Sequence, residues 1–150
     1  MQGNYTLGNN DFTYPFAHRS DLTHTIHSMV ERSGEICLIR EILENKSSIG
    51  MFVRVTGHVQ KLRDEEGMLE ITHDGVSLFV DTNTHIDIKD SKEDDLVQFI
   101  GEIKKTSTQM CQRYGNIFLE AKIFRIVNGL DMKLYEEALK ARRNFLQTIS

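Results

Sequence analysis

The sequence predicts an all-β domain with flanking helices: a single five-stranded barrel, a C-terminal α-helix and an N-terminal extension. Three observations carry this. From residue 51 onward, apolar and polar side chains alternate in short runs separated by turn signals. A long polar connector divides the third run from the fourth. The last quarter, residues 123–145, passes from an alternating strand through Asn128-Gly129 into a helix-period pattern.

Residues 1–33 form the expected extension, and residues 34–150 the barrel domain with a helix over about 131–148. The first 19 residues are polar and rich in Gly and Asn, with Phe12, Tyr14 and Phe16 clustered around Pro15. They read as a flexible arm or an arm pinned to the barrel. Ser20 can cap a short helix in which Leu22, Ile26, Met29 and Val30 share a face, ending near Gly34. Residues 36–43 are apolar and fit either a lead-in strand or a helical turn.

Strand one is expected over residues 51–62, with Val53, Val55 and Val59 inward and Gly57 at an inward bend. A charged hairpin loop over residues 63–67 leads to strand two, Met68–His73, with Leu69 and Ile71 on one side. Asp74-Gly75 is a two-residue hairpin signal. Strand three follows, with Val76, Leu78 and Val80 inward. Residues 82–95 are the polar connector. Strand four spans 96–106 with an inward Gly101 between Phe99 and Ile103. A polar loop over 107–115 precedes strand five, residues 116–127, with Leu119, Ala121 and Ile123 inward and Phe118, Phe124 and Ile126 outward. Five strands with a long link between the third and fourth are the layout of an OB-fold barrel.

Asp131 is placed to cap the C-terminal helix, and Lys140, Arg142 and Arg143 to meet the negative end of its macrodipole. Two apolar rows follow at about 100° per residue: Leu130, Leu134, Ala138, Ala141 and Phe145, and Tyr135, Leu139, Leu146 and Ile149. One row can cover the chain's own core. The other needs a partner.

Composition narrows the function. A formal net charge of −4 supplies no global field for a polyanion. Arg54, Lys61, Arg63, Lys104, Lys105, Arg113 and Tyr114 could still line a basic edge, although Asp64, Glu65 and Glu102 stand among them. Single-strand contacts there, at Lys61, Arg63, Lys104, Lys105, Arg113 and Tyr114, would be weak and salt-sensitive. Cys37 and Cys111 lack metal or redox spacing and read as reduced thiols. No run spans a bilayer and the first residues do not form a secretory signal, so no membrane is expected and the cytosol or nucleus is. His24 and His27 share a helical turn but lack completing ligands, and His58, His73 and His85 read as scattered surface residues. Neither metal nor cofactor is expected. No hydrolase, zincin or phosphate-loop signature occurs, so the chain is read as not an enzyme.

The ordered series Val53-Arg54-Val55-Thr56-Gly57-His58-Val59, Val80-Asp81-Thr82, Phe99-Ile100-Gly101-Glu102-Ile103 and Val127-Asn128-Gly129-Leu130-Asp131 through Leu134-Tyr135 resembles the Ten subunit of the CST telomere-capping complex. The resemblance covers residues 34–145; the first 33 residues depart from the family's compact pattern. The replication protein A small subunit is a related fold with a similar helix. The resemblance implies a non-catalytic accessory subunit that pairs with the Stn subunit, joins the large CST subunit and meets single-stranded telomeric DNA mainly through the complex. It also implies a nuclear, telomeric location, restraint of telomerase and indirect support of polymerase α–primase fill-in. Carried onto this chain, it makes Leu130, Leu134, Ala138, Ala141 and Phe145 the partner seam and Arg54 a polar contact at its edge. The Tyr135–Leu139–Leu146 row is then left to seal the barrel. The alternatives are a replication protein A small-subunit-like trimerisation module and an autonomous single-strand-binding barrel.

Overall fold

The computed structural model of the chain describes residues 33–84 and 86–149. The aromatic arm, the helix expected from Ser20, the His24–His27 pair and His85 lie outside the described residues. Among the described residues nine elements follow one another: β1 (Glu35–Ile36), α1 (Ile39–Glu44), β2 (Phe52–Lys61), β3 (Met68–His73), β4 (Val76–Asp81), β5 (Leu96–Lys105), α2 (Cys111–Tyr114), β6 (Ile117–Ile126) and α3 (Met132–Ile149).

The strands run in the order β1-β2-β3-β4-β6-β5, and a further β2–β5 pairing closes the last five into a barrel. Neighbours pair antiparallel, except that β4 runs parallel to β6 and β1 parallel to β2. This is OB-fold topology. The alternating residues Val53, Val55, Val59, Leu69, Ile71, Leu78 and Val80 are buried in one core with Phe99, Ile103 and Leu119, and Val76 packs half-buried against it.

The ambiguous stretch after Gly34 holds both expected forms. Glu35–Ile36 adds a short parallel strand, and α1 then buries Ile39 and Ile42, three residues apart on one face, against the core. Glu41 accepts from the Leu38 N–H at 2.9 Å, satisfying one of the free amides at the helix start. Gly57 sits beneath this helix: an added Cβ would lie 3.1 Å from Ile39 Cδ1 and 3.0 Å from the Thr72 carbonyl oxygen. At the hairpin, Asp74 and Gly75 both have positive φ, 51° and 78°, as a type I′ turn requires.

Three expectations need correction. A bulge shifts the β5–β6 register between Ile100 and Gly101, so Ile100 faces Ile123 while Gly101 faces Ala121. Lys122 is the extra residue, and the side chains beyond it reverse phase. Ile123 therefore points outward and is 47% exposed, whereas Phe124 packs on the core with its ring 5.0 Å from that of Phe99. Ile126, paired with buried Val97, is 37% exposed, as its outward reading expects. Second, the loop over 107–115 contains the single turn α2, which buries Tyr114 edge-on to Phe79 at 5.0 Å. Third, no basic residue lies in the last turn of α3, because the helix continues to Ile149 past Lys140, Arg142 and Arg143.

The α3 start matches its sequence signal. Asp131 Oδ1 accepts from the Lys133 and Leu134 N–H groups at 3.0 and 3.2 Å. Asn128 does more than turn the chain, since its Oδ1 accepts from Leu96 N–H at 2.7 Å and its Nδ2 donates to Asp95 at 3.0 Å. Replacing Asp131 by Ala should cost about 1 kcal/mol and fray the first turn of α3. Amide exchange at Lys133 and Leu134 would read this directly, with faster exchange in the variant expected.

Candidate functional site

The apolar surface of α3 is split by how the helix docks. Only Leu139 is buried among its eighteen residues, with Met132, Tyr135, Glu136 and Arg143 half-buried beside it. At 100° per residue these positions form one face. Two polar clasps hold its roll. His73 Nε2 lies 3.1 Å from Glu136 Oε2, so His73 is not a loose surface residue; its side chain is 10% exposed. Arg143 forms a two-pronged pair with Glu41 of α1 and donates to the Ile36 carbonyl oxygen at 2.8 Å.

The opposite face carries Leu134 and Phe145, each 62% exposed, with Ala138, Ala141 and Ile149 exposed between and beyond them. Four of the five residues expected at the seam therefore share one open stripe. Leu130 stands apart: it precedes the helix, in a turn closed by its N–H to the Val127 carbonyl oxygen, and is half-buried. Leu146 and Ile149, expected to seal the barrel, are exposed, because no residue of α3 beyond Arg143 is buried. Of the expected row, only Leu139 is buried and Tyr135 half-buried, and Glu136 and Arg143 join them on the docked face through their polar clasps. Arg54 lies on β2 beside Ile36, the residue whose carbonyl oxygen Arg143 holds.

Hydrogen bonds from Arg143 are the main reason that the Glu41 carboxyl titrates below its ordinary value; partial burial opposes them and the Leu38 N–H assists. A carboxyl depressed in the folded state stabilises above its unfolded pKa and loses that contribution as pH falls through the folded one. The clasp should therefore hold at neutral pH and open only as pH falls below the ordinary glutamate range. Because both side chains are more than a third exposed, screening keeps the effect small. Far-UV circular dichroism from pH 6 to 3 should show helix loss in the wild type and a flatter response in Glu41→Gln.

The second set of expected residues gathers at one end of the barrel. Loops 62–67 and 106–116, with the starts of β3 and β6, surround an open cleft of about 330 Å³ lined by Met68, Met110, Phe118, Lys105, Asn83, Asp81 and Glu66. Arg63 reaches Asn83 at 3.2 Å. Arg113 lies 3.5 Å from Asp64 and stacks over Tyr114 at 5.2 Å. Lys104 is 3.4 Å from Glu102. Lys61 ends β2, opposite Glu70, and is exposed. Tyr114 departs from its expected role as a surface contact, since its ring is buried and its hydroxyl donates to Asp64 at 2.7 Å. Burial and that bond push the phenol up to about 12. Burial of Asp64 works against its ionisation, but bonds from Tyr114, Met68 and Glu66 and the charge of Arg113 outweigh it and hold the carboxyl below its usual range. Lys104 and Arg113 each have an acidic neighbour, which weakens the positive field they can offer.

Sequence reasoning missed the Arg143–Glu41 clasp, whose partners are 102 residues apart. No helix among the described residues is long and apolar enough to cross a membrane.

The chain is similar to telomere capping protein Ten1 from Saccharomyces pombe, with 17% identity over 75% of this chain and 99% of that one, at a TM-score of 0.58. A chain of the S. pombe Stn1–Ten1 complex gives 17% identity, 75% and 93% coverage and 0.59. A chain of U. maydis replication protein A, solved bound to single-stranded DNA, gives 19%, 79% and 98%, and 0.53. At these identities the likeness establishes the OB-fold alone. No curated protein sequence matches the chain. The model of the telomere-capping CST complex subunit family matches residues 30–149. That match takes in the whole barrel and the C-terminal helix, and the chain is a member of the telomere-capping CST complex subunit family.

Proposed function

We propose that this chain is a non-catalytic accessory subunit that binds the Stn-type OB-fold subunit through the open stripe of α3. The observation that carries the reading is the row Leu134, Ala138, Ala141, Phe145 and Ile149, exposed on a helix whose roll is set by Leu139 and two polar clasps. Four consecutive turns of unpartnered apolar surface fit helix-on-helix packing. Family membership supplies the partner's class, and the S. pombe complex pairs a chain of the same fold with its Stn1 subunit. Leu130 and Arg54 belong at the edges of this contact.

The pair would join the large CST subunit at telomere ends in the nucleus, protect those ends, limit telomerase and assist polymerase α–primase fill-in. Single-stranded telomeric DNA would be met mainly through the complex. The acidic neighbours of Lys104 and Arg113 support this division of labour. Tagging the chain in its own cells and identifying the co-purifying subunit tests the proposal. Recovery of an Stn-type subunit supports it. Recovery of the replication protein A large subunits, or tight oligonucleotide binding by the purified chain alone at about 0.15 M salt, would replace it.

A further inference from the structure

His73 ends β3, Asp74 opens the hairpin turn and Glu136 stands on α3, 63 residues from His73. His73 Nε2 is 3.1 Å from Glu136 Oε2 and 3.5 Å from Asp74 Oδ2. The three atoms lie within 4.8 Å of one another. One imidazole nitrogen carries at most one proton, so a hydrogen bond satisfies one of the two carboxylates it faces and leaves the other beside a like charge. A divalent cation satisfies all three groups at once.

Two of the three edges, both to the imidazole, suit one, and the third, between the two carboxylates, lies within 4.8 Å. With zinc bonds of about 2.0–2.2 Å, neighbouring ligands of a tetrahedral site stand roughly 3.3–3.6 Å apart. The observed 3.1 and 3.5 Å reach that edge with shifts of a few tenths of an ångström. The imidazole is 10% exposed and therefore largely held in place before any ion arrives. Two carboxylates and a neutral imidazole carry a charge of about −2. Arg40 weakens that field from one side, but its hydrogen bond, at 3.3 Å, is to the Asp74 carbonyl oxygen, leaving Oδ2 toward the imidazole. One nitrogen and two oxygen donors favour zinc-class ions over magnesium.

We infer that His73, Asp74 and Glu136 bind a zinc-class divalent cation, with water in the fourth position, which ties α3 to the hairpin of the barrel. The inference rests on the fold and is independent of the partner reading. The full chain, untagged and stripped with chelator, is titrated with Zn²⁺ and Co²⁺. Wild type should show a raised melting midpoint with zinc and a visible tetrahedral cobalt band. In Glu136→Gln both should weaken roughly tenfold or more. Glutamine still accepts the imidazole proton, so the metal-free midpoint should match wild type. If that midpoint falls, Asp74→Asn asks the same question from the barrel side. Equal zinc binding by wild type and whichever variant keeps its metal-free midpoint, or none by wild type up to about 1 mM, would overturn the assignment.

Discussion

Changing Leu134 and Phe145 together to Glu is expected to abolish co-purification with the Stn-type subunit while the isolated chain melts as wild type does. Both side chains are 62% exposed in the chain alone, so charge costs the barrel about 0.5 kcal/mol or less. In the complex the same positions would be buried. Each lost apolar side chain removes about 1.5–3 kcal/mol of burial, and each carboxylate then enters an apolar seam without a partner. Together this exceeds about 4 kcal/mol, or roughly a thousandfold in Kd. Size-exclusion chromatography of co-expressed subunits reads the loss, and differential scanning calorimetry of the chain alone reads its intact fold.

Gly101→Ala is expected to be the most damaging small substitution in the barrel. A Cβ there would lie 2.1 Å from the Glu120 carbonyl oxygen, 2.9 Å from its carbon and 3.0 Å from Ala121 Cα. All three are backbone atoms of the paired strand, so no side chain can swing aside. The β5–β6 seam must open where the bulge already interrupts it. A loss of about 3 kcal/mol or more follows, roughly 10 °C in melting midpoint. Gly129→Ala is the control, since a Cβ there meets no atom within 4 Å. It should stay within about 0.5 kcal/mol of wild type.

These two predictions rest on different kinds of legibility. The strands could be read in the sequence because Val53, Val55 and Val59, and later Leu78 and Val80, keep a strict period of two between strong turn pairs. Gly101 was visible as an inward glycine, but its reason was not: it admits the Glu120 backbone at a bulge. The bulge also hid the phase of β6. Ile123, Phe124 and Ile126 are apolar at both parities, so composition could not say which faced the core after one inserted residue.

The helix shows a similar boundary. Its position, its Asp131 cap and its surplus apolar surface were legible because they are local. Its roll was not, because that depends on Glu41 and His73, which pair with Arg143 and Glu136 across 102 and 63 residues. A period of 3.6 identifies two rows but not which one docks. It also ranks Leu146 and Ile149 by hydropathy alone, although no residue beyond Arg143 is buried.

The most direct test of the central claim is thiol footprinting on α3. In a Cys111→Ser background, with Cys37 buried, a single cysteine is placed at Ala138 on the open stripe or at Lys140 on neither the stripe nor the docked face. Burial, with the charges of Glu35 and Glu41, pushes the Cys37 thiol up to about 11, which keeps the native background silent at pH 8. Adding the Stn-type subunit should protect the cysteine at 138 from alkylation and leave the one at 140 reactive. Equal reactivity at both positions in a verified complex, or protection at 140 alone, would contradict the assignment of this face.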